Sequence, residues 1–296
     1  MADRAVAAFP EAGALLVRAA ETTDLVEEAR RRHGTSPTAT AALGRALTGA
    51  LLLGTLLKGD ASVLLQWRGD GPLGAVVAEG RPDLTARGYV ARPEADVPPR
   101  GGKIDVGAAV GRSGDLVVVK DLGLKEPYVS TVPIQTGEIG DDLAYYLTVS
   151  EQIPSAVGLG VFITPEYRVG AAGGILVQAL PGAPDEVVER VAENLEALGG
   201  VTEGIRAGRG IEGVLERVLA GLAYRVQPLG TPRFRCRCSP GRLDATLAAL
   251  GPDEARRLLD EEGVIRARCA FCGTEWVRRD LDGPWERAGP PGGGAS

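Results

Sequence analysis

This 296-residue chain has only four cysteines, and all of them fall in its last quarter, as Cys236-Arg-Cys238 and Cys269-Ala-Phe-Cys272. Thirty residues separate the two pairs. Any fold that brings them together closes the segment between them into a compact loop. Zinc takes four ligands tetrahedrally, which places neighbouring sulfurs about 3.8 Å apart, and two close-spaced cysteine pairs can supply that arrangement. The Cys-x-x-Cys half, with Gly273 just behind it, is the usual tight-turn knuckle. The Cys-x-Cys half is less common and more strained. The helix-like stretch Asp244 to Gly263 is expected to fold between them.

Four readings of this cluster compete. It is a silent structural zinc site; a zinc ribbon docking on nucleic acid; a catalytic zinc; or a redox switch. The catalytic reading is the weakest, because four thiolates close the coordination sphere and leave no position for water. The nucleic-acid reading is limited by charge, since Thr231 to Arg287 carries eleven arginines against ten acidic residues. The redox reading rests on chemistry. Bound metal and the nearby Arg235, Arg237 and Arg268 favour thiolates, which oxidants attack, and a sulfenic acid formed at one cysteine has a resolving thiol next door. A module of under about 60 residues has a marginal core, whereas structural zinc contributes about 10–16 kcal/mol. Loss of metal should therefore unfold it.

The rest of the chain supports its own fold. Its length suits roughly two domains, 44% of its residues are hydrophobic, and the net charge of −6 argues against broad nucleic-acid or membrane-surface binding. The start lacks the basic cap, apolar run and cleavage site of a signal peptide. The most apolar stretch, Ala41 to Leu57, is broken by Arg45 and is shorter than the roughly 20 residues of a membrane span. The expectation is a cytosolic protein with this stretch as a buried helix, opened by Ser36-Pro37 as N-cap and first helical residue.

The first zone, residues 1–182, mixes helix with strand runs at Ser62–Arg68, Leu73–Glu79, Thr85–Ala91, Asp115–Asp121 and Tyr128–Ile134, each bounded by Gly, Pro or Asp. Arg92 to Gly102 reads as a solvated loop. The second zone, residues 183–230, is a helical linker. Val187, Val188, Val191, Leu195 and Leu198 share one helical face, and Ile211, Val214, Leu215, Val218, Leu219 and Leu222 another. The five glycines of Gly199 to Gly210 predict a loose joint between the two helices. The third zone, residues 231–287, holds the cysteines, and 288–296 reads as a disordered tail. The single histidine, His33, follows three arginines and reads as a solvated helix-end residue. No phosphate loop is present, no catalytic residue is assigned, and the chain is not expected to be an enzyme.

The cysteine pattern resembles that of the heat shock protein 33 family, redox-regulated holdase chaperones of bacteria. So do Leu43–Gly59, Gly69–Glu79, Ala86–Val90, Tyr145–Val161 and Ala171–Ala183, in the family's order. The resemblance implies an α+β fold, with a β-sheet-based N-terminal core, a helical linker lying over it and a small C-terminal four-cysteine zinc domain. It makes Cys236, Cys238, Cys269 and Cys272 ligands of one Zn2+, and implies oxidation to Cys236–Cys238 and Cys269–Cys272 disulfides with zinc release. It also implies ATP-independent binding of unfolding clients under oxidative and heat stress, homodimers when oxidised, and hand-over to ATP-dependent foldases. In that setting the stripes of Val187, Val191, Leu195, Ile211, Leu215, Leu219 and Leu222 become a client surface once undocked. Ser239-Pro240-Gly241 departs from the family's more charged stretch there. Ser150-Glu151-Gln152 is read as a helix-terminal hydrogen-bonding segment.

Overall fold

The computed structural model describes residues 2–11 and 14–288, so the expected tail from residue 289 onward lies outside the described residues. The chain divides into two compact units, Met1–Arg235 and Cys236–Ser296. The first begins with β1 (Arg4–Pro10), β2 (Leu15–Glu21), α1 (Thr23–His33) and α2 (Pro37–Gly54). It continues with β3 (Ser62–Gly69), β4 (Ala75–Gly80), β5 (Thr85–Val90), α3 (Val106–Val110), β6 (Gly114–Asp121) and β7 (Tyr128–Pro133). Then come α4 (Ile139–Val149), β8 (Ser155–Ile163), β9 (Val169–Ala179), α5 (Asp185–Ala197), α6 (Val201–Gly204), a π-wound turn at Ile205–Arg209, and α7 (Gly210–Val218). Strands β10 (Tyr224–Gly230) and β11 (Arg233–Phe234) close the unit.

Two sheets form, in the orders β10-β1-β2-β9-β8 and β11-β5-β4-β3-β6-β7. Every pairing is antiparallel except the short parallel join of β11 to β5. Helix α2 touches strands of both sheets, and 16 of its 18 residues are buried. Such burial requires a helix apolar all round, and small residues let backbone approach backbone. A Cβ on Gly80 of β4 would stand 1.9 Å from the carbonyl oxygen of Ala50. Ser36 caps the helix as expected, its Oγ accepting from the Ala39 N–H at 3.1 Å. The helix ends at Gly54, short of the expected Leu57, because Leu56 and Leu57 bond back three residues in a tightened turn.

Buried polar groups tie the layers together. Asp142 of α4 is fully buried; its carboxylate accepts from the Trp67 indole N–H at 3.2 Å and from the backbone N–H groups of Gln135 and Thr136. Burial raises its pKa, and these hydrogen bonds oppose the rise. The Ser150-Glu151-Gln152 segment has the structural role expected of it. Glu151 accepts from the Tyr146 hydroxyl and pairs with Lys120 of β6, joining the end of α4 to a strand. His33 is half-buried with its ring 6.5 Å from that of Phe234, against the expectation of a solvated side chain.

Two further sequence expectations need correction. The segment 224–230, expected within a helical linker, is strand β10 on the edge of the first sheet, register-paired with β1. The Gly199–Gly210 joint is not loose. Val201 and Ile205 are buried, α6 spans Val201–Gly204, and the π turn that follows bends at Gly208, whose φ of 82° is not helical.

The core predicts a cost for truncation. Leu47→Ala, at a fully buried position of α2, is expected to destabilise the first unit by about 2–5 kcal/mol, read as a lower urea midpoint with unchanged slope.

Candidate metal centre

The second unit is small. It contains α8 (Pro240–Leu250), α9 (Pro252–Glu262) and a sheet of β12 (Ile265–Arg268), β13 (Glu275–Arg278) and β14 (Glu286–Arg287). The helix-like stretch Asp244–Gly263 is helical in two pieces, because Gly251 turns the chain at φ 91° and Pro252 starts a new helix. Its apolar cluster centres on Ile265, Trp276 and Trp285, with no residue of α8 buried. Asp244 of α8 accepts from the Trp285 indole N–H at 2.9 Å and pairs with Arg278 at 3.1 Å. Thus one carboxylate ties helix, strand and final segment together.

All four cysteines meet in this unit. Their sulfurs lie within 4.8 Å of one another, with Cys236 to Cys269 and Cys238 to Cys272 at 3.6 Å. Cys269 and Cys272 sit on the turn between β12 and β13. The Gly273 N–H donates to the Cys269 carbonyl at 2.8 Å, and the Cys269 N–H to the Thr274 carbonyl at 2.9 Å. Gly273 closes this knuckle at φ 69°, a conformation costly for a residue with a Cβ. Cys236 and Cys238 lie on the extended segment leading into α8.

The electrostatics explain why such a cluster calls for a cation. Burial and the neighbouring sulfurs push the Cys238 thiol up to about 12 and the Cys269 thiol up to about 11. Burial also acts to raise Cys272, but its hydrogen bonds with the Thr274 side chain and backbone, and with Cys236 and Cys238, bring it down to about 7. By themselves, then, the sulfurs cannot all ionise. A dication removes that conflict, and separations of 3.6–4.8 Å bracket the spacing of about 3.8 Å expected of tetrahedral thiolates. The donor set fits a closed, sulfur-only site such as zinc occupies.

The seven apolar linker residues singled out from sequence belong to the first unit. There they form one cluster against the outer face of the first sheet. Val187, Val191, Ile211, Leu215 and Leu219 are buried, with Leu195 and Leu222 half-buried at the margin. They rest on Val6, Ala8, Val17, Ala19, Ile175 and Val177. The register places Ala19 opposite Ile175 and Val17 opposite Val177, so alternate residues of adjacent strands present one apolar face. Sequence reasoning missed this partner face, although the alternation of Val6 with Ala8 and of Val17 with Ala19 was there to be read.

A two-sheet α+β unit carrying a docked helical segment, followed by a small four-thiol unit, defines a class of protein whose second unit is organised around sulfur. The Hsp33 protein family model matches residues 3–277. The chain is 44% identical to the 33 kDa chaperonin of Geobacter sulfurreducens over 282 residues, covering 95% of this chain and 94% of the relative. It is 41% identical to the 33 kDa chaperonin of Geobacillus kaustophilus over 273 residues, covering 92% and 93%. Among solved structures, the 33 kDa chaperonin (heat shock protein 33 homolog) of Thermotoga maritima matches with a TM-score of 0.85 at 34% identity. That match covers 93% of this chain and 94% of the other. The chain belongs to the Hsp33 family, and its relatives bear the name of a chaperone. No helix among the described residues is long and apolar enough to cross a membrane.

The Asp244 contacts generate a prediction. Asp244→Ala leaves the Trp285 indole and Arg278 without their partner, and is expected to destabilise the second unit by about 1–3 kcal/mol. Hydrogen exchange should accelerate across residues 240–288 and stay unchanged in α2.

Proposed function

We propose that this chain is an oxidation-controlled, ATP-independent holdase that binds unfolding proteins and prevents their aggregation under oxidative and heat stress. The observation that carries this reading is the convergence of four sulfurs within 4.8 Å, in a unit whose own apolar cluster is thin. Residues 1–182 serve as the chaperone core, 183–230 as the linker, and 231–287 as the switch.

In the reduced state Cys236, Cys238, Cys269 and Cys272 hold one Zn2+. The ion, when bound, neutralises thiolate charge and supplies folding free energy to a unit that lacks apolar burial. Hypochlorite would take two electrons from each pair of thiolates: one S–S bond forms, its O–Cl bond breaks, and two protons from solvent carry the oxygen away as water while chloride leaves. Pairing within each couple, Cys236 with Cys238 and Cys269 with Cys272, is favoured because sequence neighbours stay close even as the unit opens. A chain without thiolates cannot retain the metal, and residues 231–287 lose their order.

Release of the linker would then uncover two apolar surfaces at once: the stripes that include Val191, Ile211 and Leu215, and the sheet face of Val6, Val17 and Ile175. Exposed surfaces of this kind bind unfolded chains. The names of the relatives support a chaperone. The active form acts as a cytoplasmic homodimer and passes clients to ATP-dependent foldases once thiols are restored.

Light scattering from a thermally unfolding client enzyme tests the reading. Suppression by the hypochlorite-oxidised protein and not by the reduced, zinc-loaded protein is the expected result, and equal inactivity of both forms would sink it. Separately, Cys269→Ser and Cys272→Ser are expected to lower zinc content below one per chain and to release part of the holdase activity under reducing conditions. A purely structural site predicts aggregation of these variants with no gain of activity.

A further inference from the structure

Arg45 is the one charge in an otherwise apolar buried helix, and its pairing with Glu138 leaves its Nε without a partner. It is among the residues that line a cleft of about 750 Å³ in the first unit. The walls are the edge strand β8, the loop from Arg100 to Arg112, and the helical segment Gly199–Arg206. Volumes of this order are those of small-molecule sites.

The charge of the cleft runs against that of the chain. Arg45, Arg100, Lys103, Arg112 and Arg206 line it, in a protein of net charge −6. Two of its three carboxylates are already engaged. Asp105 Oδ1 accepts from the Ala108 N–H at 2.9 Å as the cap of α3, and Glu138 pairs with Arg45 while accepting from the Gly107 N–H at 3.2 Å. No ion pair joins Arg100, Lys103, Arg112 or Arg206 to a carboxylate among the described residues.

Two of the cations are held in place. The Nε of Arg45 is buried with no partner, an unmet donor that a ligand oxygen would satisfy. Arg206 sits over Phe162, its Cζ 3.7 Å from the ring centroid, a cation–π contact that restricts where the guanidinium can go. Planar guanidinium groups with free N–H edges match phosphate oxygens bidentately. The half-buried Leu159 and Val161 add an apolar floor.

We propose that this cleft binds a small phosphate-bearing anion, which ties Arg206 of the helical segment to Arg45 and Lys103 of the core. Cations drawn from both sides of the seam repel one another when the cleft holds no counter-charge, and a shared polyanion reverses that repulsion. The ligand would thereby hold residues 201–209 against the sheet. Binding to the reduced protein stands or falls independently of the redox reading.

The test is calorimetric titration of the full-length, reduced, zinc-loaded protein with inorganic pyrophosphate at fixed ionic strength, paired with hydrogen exchange. One-to-one saturable binding is expected, weakened at least about tenfold, or about 1.4 kcal/mol, in Arg206→Ala and in Lys103→Ala. Both side chains are exposed, so both variants should fold. Exchange at residues 201–209 should slow on saturation. A parallel titration with adenosine diphosphate sorts the source of the phosphate. Tighter binding than pyrophosphate assigns the floor of Leu159 and Val161 to a nucleotide base, and weaker binding assigns the site to inorganic anions. Absence of saturable heat up to about 10 mM pyrophosphate, or equal affinity in both variants, would overturn the site. Binding with unchanged exchange would overturn the tie between segment and core.

Discussion

The first unit depends on a single close contact, the passage of α2 between two sheets. A helix can serve two sheets only if it has no polar face and no bulky side. Apart from Arg45, which pairs with Glu138, the run from Thr38 to Gly54 is Ala, Gly, Thr and Leu, with sixteen of eighteen helix residues buried. Gly80 completes the fit by letting β4 reach the backbone of Ala50. Because α2 covers only one face of the first sheet, the opposite face, with Val6, Val17 and Ile175, is left for the linker. The need for a cover follows from the core and not from the linker.

That cover is held differently from the core. Helices α5 and α7 bury one stripe each, and their outer faces are charged and exposed. Gly173 allows close seating: a Cβ there would stand 2.6 Å from Ile205 Cδ1 and 2.7 Å from the Ala20 carbonyl oxygen. Beyond this packing, Asn194 of α5 donates to the carbonyls of Val218 and Ala220, which ties the two helices to each other and not to the sheet. Attachment to the core therefore rests chiefly on apolar contact, with few directional bonds.

Much of this is legible in the sequence, and the gaps have physical causes. Strands β3 to β7 carry β-branched residues between Gly, Pro and Asp punctuation, and their boundaries fall within two residues of those expected. Strands β1 and β9 carry a weaker signal. Ala-rich "RAVAAFP" has Val6 as its one β-branched residue, so its alternation with Ala8 is faint, and "VGAAGGILVQA" is buried on both faces, so alternation disappears. Glycine content alone misrepresents the Gly199–Gly210 joint as free. There the glycines provide clearance and turns, while Val201 and Ile205 anchor the segment. Strand β10 is masked by the helical pattern before it; its polar, exposed residues reflect an edge position that only the partner strand β1 defines. The cleft around Arg45 is hardest to foresee, since its cations are spread over three separate parts of the chain.

The thiol cluster is the most legible feature because its chemistry is local while its consequence is global. Spacing alone identifies four candidate ligands, and the fold brings their sulfurs within 4.8 Å. Burial first, and then the neighbouring sulfurs, disfavour bare thiolates there, raising Cys238 to about 12 and Cys269 to about 11. The unit around them offers little apolar burial to offset that conflict; α8 buries no residue, and the cluster turns on Ile265, Trp276 and Trp285. Its order is therefore tied to the state of four sulfurs more closely than that of the first unit could be. A large, closely packed core would stay folded whatever became of its cysteines, and a switch requires the opposite. The contrast between an α2 buried almost all round and an α8 with no buried residue makes the order of the small second unit depend on its sulfurs far more than that of the large first unit.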